Sequence, residues 1–334
     1  MTAHTPHTTS RPLAASTTLR SPAFTRRRLL ATLAAGPALA LLVAACGERA
    51  DDSGSSPTTP GSAPVTTPAP TTPPTDTAGG SSIAYPTEAD AVVLRLGYEG
   101  GFVPAGTAFV NLPTLLVTGD GRVITQAPVT LQYPGPLVAP LEVRTISPEG
   151  IETLLRLADE AGLLGAIPDY TGQTNIADAP DTVVRIRTAD GTYVHEAYAL
   201  GMALDASGNP TDESSSARQA LAGFVAKLTD LETTVGAAEL GSSSLLEPTA
   251  YRLQATVVDE STLSGYDVEP TQVVWPASTG LALADATGCA TLTAEAAGGV
   301  FDDATSLTFF RDGDTLYSLA VAIELPGDPA CTPA

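Results

Sequence analysis

Apolar positions from Val92 onward alternate between two periods, and each period predicts a different element. Val92-Val93-Leu94-Arg95-Leu96 is a short run of β-branched and aliphatic residues that predicts a strand. From Ala108 to Gln126 two such runs flank Gly119-Asp120-Gly121, an Asp-Gly turn, and predict a hairpin. Ser147-Pro148-Glu149 then supplies an N-cap, a first-turn proline and a first-turn acid. Ile151, Leu154, Leu155, Ala158 and Ala161 follow as one helical stripe. Thr182 to Ala197 predicts a second hairpin turning at Ala189-Asp190-Gly191. Ala217, Leu221, Phe224, Leu228, Leu231 and Val235, spaced by three and four, predict one continuous helix.

Gly241-Ser242-Ser243-Ser244 interrupts the pattern. Beyond it, Tyr251 to Asp259 and Thr271 to Ser278 predict strands, and an Ala-rich stretch near Leu292 a short helix. Ser306 to Ala322 predicts a third hairpin around Asp312-Gly313. The order helix then hairpin occurs twice, a faint sign of duplication that two common Asp-Gly hairpins explain equally well. The expected fold is therefore α+β, with antiparallel sheets built from hairpins, two main helices and two packed subdomains, residues 83–240 and 241–334. The βα alternation of a solute-binding protein is absent from this pattern.

The N-terminal part reads differently. Residues 1–24 are polar and free of acid; Thr25-Arg26-Arg27-Arg28-Leu29-Leu30 then opens an apolar run that ends at Ala45. Leu42-Val43-Ala44-Ala45-Cys46-Gly47 resembles a bacterial lipobox, with small residues before the cut and a thiol for a lipid transferase after it. Residues 1–45 are thus expected to be a signal peptide and Cys46 the lipidation site. Arg26 and Arg27 resemble a twin-arginine signal, although three consecutive arginines also serve general secretion. A diacyl chain at Cys46 gives stable anchoring where a single chain is marginal. Between Gly47 and Ser82, 26 of 36 residues are Gly, Pro, Thr or Ser, so residues 46–82 are expected to be a disordered tether with a reach on the order of 100 Å.

Charge narrows the partners. The 334 residues carry 37 acidic and 16 basic side chains, a net of −21, and loss of residues 1–45 leaves 11 basic residues and a net of −26. A field of that sign disfavours nucleic acid. The expected partners are the membrane, through the lipid, and an envelope protein or small ligand. The expected place is the extracytoplasmic face of the cell membrane.

Catalytic constellations are hard to find, and neither a catalytic residue nor a metal or cofactor is expected. Only His195 remains after residue 45, too few imidazoles for a catalytic zinc, and its strand position favours a structural role. The sole lysine, Lys227, has no serine three residues ahead, and there is no Gly-x-Ser-x-Gly elbow. Asp302-Asp303 and Asp312-Gly313-Asp314 lack the calcium-loop order and read as turn residues. Cys289 and Cys331 fit no redox or metal motif. With Cys46 committed to lipid, they are the one pair left for a disulfide in an oxidising compartment.

Tyr98-Glu99-Gly100-Gly101-Phe102-Val103-Pro104, Leu112-Pro113, Gly119 to Ile124, Trp275-Pro276 and Leu325-Pro326 through Cys331 together resemble a group of uncharacterised actinobacterial lipoproteins. The resemblance spans most of residues 90–331 and implies a membrane-anchored protein without assigned activity. The expectation is a non-enzymatic binding or envelope-assembly module; the alternative is an envelope hydrolase that works with carboxylates alone.

Overall fold

A computed structural model describes residues 82–103, 106–172, 176–202 and 215–331. The fold is α+β, with two sheets. The first has seven strands: β1 (Val92–Gly100), β2 (Leu115–Thr118), β3 (Arg122–Gln126), β4 (Leu141–Thr145), β5 (Pro180–Arg187), β6 (Thr192–Tyr198) and β7 (Ser244–Leu245), in the order β6-β5-β1-β2-β3-β4-β7. The second has five: β8 (Ala250–Val257), β9 (Thr271–Val274), β10 (Ala290–Thr293), β11 (Thr308–Asp312) and β12 (Thr315–Ile323), in the order β10-β8-β12-β11-β9.

Helix α1 (Pro148–Glu160) starts where the Ser147-Pro148-Glu149 signal places it. The Ser147 hydroxyl accepts from the Gly150 N–H at 3.0 Å and itself donates to the Glu239 carboxylate. Its stripe Ile151, Leu154, Leu155 and Ala158 is buried with Leu94, Leu96, Val184 and Ile186 of the first sheet. Leu221, Phe224 and Leu228 of α2 (Ser216–Thr229) enter the same core.

A second core under the five-stranded sheet is aromatic. Trp275, Phe301 and Phe310 meet there at ring separations between 5.6 and 6.3 Å, with Leu253 and Val321 around them. A smaller cluster joins the sheets, bringing Leu116, Ile124 and Leu141 against Ile323 and Leu325. Backbone bonds run across the same divide: Leu137 N–H donates to Ala304 and Ser306 N–H to Gly135.

Four elements depart from the sequence expectation. The apolar stripe from Ala217 to Val235 is two helices, α2 and α3 (Leu231–Val235), because Asp230 leaves the helical conformation and its carboxylate caps the Thr233 N–H. Leu292 lies on β10, and the helix expected there, α4 (Ala294–Ala297), begins only after Thr293 caps it. Ser244, placed in the interrupting stretch, starts β7, which pairs with Glu142 and Val143 of β4. Finally, β9 and β11 pair in parallel, the one departure from an otherwise antiparallel arrangement. The connection between them holds β10 and α4, ample chain for the crossover that a parallel pair needs.

Candidate functional site

The site begins with alternation along β1. Leu94 and Leu96 are buried in the core beneath the helices, so Arg95, Gly97 and Glu99 project to the opposite face. Gly97 puts no side chain there, and a cleft of about 580 Å³ opens over it. That volume lies within the range of small-molecule sites, roughly 300–1,000 Å³. Phe109, Leu112 and Pro113 form one apolar wall, Val103 the rim, and Arg252, Ala322, Asp328 and Pro329 the side facing the second sheet.

Two arginines, Arg95 and Arg252, line this cleft in a strongly acidic chain, and a third, Arg185, holds the lining Glu99. Arg185 sits opposite Arg95 across the β1–β5 ladder and binds Glu99 at 2.7 Å. Arg95 donates to Asp328 Oδ1 at 3.0 Å. Arg252 comes from β8, next to Ala322 of β12, whose small side chain leaves it room.

Asp328 is set by a turn. Leu325-Pro326-Gly327-Asp328 is closed by the Asp328 N–H on the Leu325 carbonyl at 3.1 Å, with Gly327 at φ 77°. Pro then Gly at the two central positions is what a type II turn selects. A side chain at Gly327 would also come within 2.9 Å of Val92. The Leu325 N–H donates to Asp328 Oδ2 at 3.0 Å, so the carboxylate is held from both sides.

Arg252 is the exception in this arrangement. Its side chain is 13% exposed, its nearest carboxylate oxygen, Asp328 Oδ2, is 3.8 Å away, and its guanidinium carbon stands 5.2 Å over the Phe109 ring. Its Nε is buried without a hydrogen-bond partner, and among the described residues none of its donors makes a hydrogen bond. Only Nε is fully withdrawn from water; the terminal donors of the guanidinium have one carboxylate at ion-pair distance and no hydrogen bond among the described residues, which leaves them unsatisfied. The cleft therefore presents one charge-bearing donor set ready for an acceptor from outside.

His195 is fully buried on β6, where Nε2 donates to the Leu163 carbonyl at 2.8 Å and Nδ1 accepts from the Tyr170 hydroxyl at 2.7 Å. Desolvation lowers its pKa, and burial pushes the Tyr170 phenol up to about 12. The buried Arg218 donates to the Tyr170 and Tyr198 carbonyls. Both ring nitrogens of His195 are engaged inside the fold, which suits the structural role expected of a strand histidine.

Cys289 and Cys331 lie at disulfide distance, with Cα atoms 5.0 Å apart. Cys331 follows Asp328 by three residues, so this pair closes the segment that forms one side of the cleft. Asp312 Oδ2 accepts from the Leu283 N–H at 2.8 Å, a use for that turn acid within the fold. Among the described residues no three His, Cys, Asp or Glu side chains cluster as a metal site, and no helix is long and apolar enough to cross a membrane. Cys46, Arg26 and Arg27 lie outside the described residues.

Sequence reasoning passed over Arg95, Arg252 and Asp328. One signal was present: each arginine interrupts an apolar strand run, Leu94-Arg95-Leu96 and Tyr251-Arg252-Leu253, in a chain with few basic residues. Compared with family models, curated proteins and solved structures, the chain and its fold match none.

Proposed function

We propose that the chain is a lipid-anchored extracytoplasmic lipoprotein acting as a non-enzymatic binding module, with the cleft between β1 and β8 as its ligand site. The observation that carries this reading is Arg252, a half-buried arginine lining a cleft of ligand size, with no hydrogen bond to any described residue and Asp328 as its ion-pair partner at 3.8 Å. A structural arginine at such a depth would be saturated by its own fold; one that serves a ligand need not be. The lipobox at Cys46 and the tether after it support display outside the membrane.

No observation favours the hydrolase alternative. The two cleft carboxylates, Glu99 and Asp328, are each tied to an arginine of the fold rather than left facing one another across the cleft. The test has two parts. Cys46→Ala should leave the membrane fraction or accumulate as uncleaved precursor; normal processing and retention would refute the anchor. Native mass spectrometry of protein purified from its membrane should show a bound small molecule that Arg252→Gln loses. An empty wild-type protein that also takes up no compound from a panel of organic acids and amides would refute the binding site.

A further inference from the structure

We infer that the ligand carries a single carboxylate, received by Arg252, on an apolar body that lies along Phe109, Leu112 and Pro113. This rests on the binding reading above and specifies its chemistry.

Charge sets the first half of the argument. Arg95 and Arg252 face one carboxylate, Asp328, and Arg185 is already engaged by Glu99. The inner cleft thus holds one positive charge in excess. A ligand with one negative charge completes it, whereas a phosphate dianion would bring its second charge against Asp328, itself only 3.8 Å from the Arg252 guanidinium. Geometry sets the second half. A guanidinium offers parallel N–H donors in a fork that a planar carboxylate matches with two oxygens. Asp328 occupies neither Nε nor the fork, since its own oxygens go to Arg95 and the Leu325 N–H. The Phe109 ring lies 5.2 Å from the guanidinium carbon, a cation–π contact on one side of it. Leu112, Pro113 and Val103 offer an organic body burial, while Thr107 and Asn111 also line the cleft and supply polar groups around it.

Calorimetric titration of the full-length protein with 3-phenylpropionate, its neutral amide and inorganic phosphate tests the inference. The acid should bind saturably, the amide about ten-fold more weakly or worse, and phosphate without saturation. Arg252→Lys keeps the charge but lacks the fork and should lose about ten-fold in affinity for the acid, while Arg156→Gln, on the exposed face of α1, should match wild type. Should the lysine variant fail to fold, wild-type protein gives the second readout: the acid, and not the amide, should protect Arg252 from phenylglyoxal, as read by peptide mass spectrometry. Equal affinity for acid and amide would overturn the carboxylate while leaving a binding cleft. Saturable acid binding with Arg252 unprotected would overturn the site. Neither compound binding would overturn both this inference and the reading beneath it.

Discussion

The Tyr170 hydroxyl stands 2.7 Å from Nδ1 of His195, and that contact holds the imidazole in one neutral form. Nε2 carries the proton because its partner is the Leu163 carbonyl, an acceptor only. Protonating Nδ1 would set two donors against each other unless the tyrosine turned away, in a place water does not reach.

A pH dependence of stability follows. Desolvation lowers the His195 pKa from its ordinary 6.5, so below that pH the unfolded chain takes up a proton that the folded chain refuses. The contribution of His195 is complete above about pH 6.5 and is lost as pH falls toward the depressed folded value. Urea midpoints measured between about pH 7.5 and 5 should decline more steeply for wild type than for His195→Gln. Parallel slopes would remove His195 as the cause. Tyr170→Phe strips Nδ1 of its donor and should cost about 1–3 kcal/mol at neutral pH.

The cysteine pair should matter to stability through the cleft wall it closes. Cys289 and Cys331 are separated by 42 residues, for which loop-closure entropy gives about 4 kcal/mol. Cys331→Ser should lower unfolding free energy by about 2–4 kcal/mol and loosen the segment carrying Asp328. Peptide mapping of nonreduced protein should recover one linked pair. Two alkylated thiols in protein recovered without reductant would refute it.

Gly119 offers a steric test. A methyl group there would lie 2.3 Å from the Pro86 carbonyl oxygen and 2.8 Å from that of Glu88. Both are backbone atoms, and neither yields as a side chain would. Gly119→Ala should therefore destabilise by about 1–3 kcal/mol. A methyl group on Gly191, in the turn between β5 and β6, would have nothing within 4 Å, and Gly191→Ala should stay within about 0.5 kcal/mol of wild type in the same denaturation experiment.

The hairpins were legible because a period of two, stopped by Asp-Gly, is a local signal. β2 with β3, β5 with β6 and β11 with β12 all turn where the sequence turns. The N-terminus of α1 was legible for the same reason, its cap and proline being adjacent. Breaks decided by one polar side chain were not. Asp230 falls within an unbroken apolar stripe, and there its backbone leaves the helix and its carboxylate caps the Thr233 N–H, separating α3 from α2. Strand pairing between distant segments was also hidden, as in the parallel register of β9 on β11. The cleft is the extreme case: Arg95 and Asp328 are 233 residues apart, and no local pattern announces their meeting.

The position of β1 bears on how the fold carries force. β1 is an interior strand, laddered to β5 from Leu94 to Gly100 and to β2 along its first half. The chain reaches it from Ile83 through Ala84, whose carbonyl accepts from the Ala189 N–H at the far end of β5. Between Ala84 and β1 the chain is held a second time, by the Gly119 N–H on the Ala91 carbonyl at 2.8 Å. A pull applied ahead of Ile83 would thus have to break these two bonds, one to the turn after β5 and one to the turn after β2, before it reached the strand that holds Arg95.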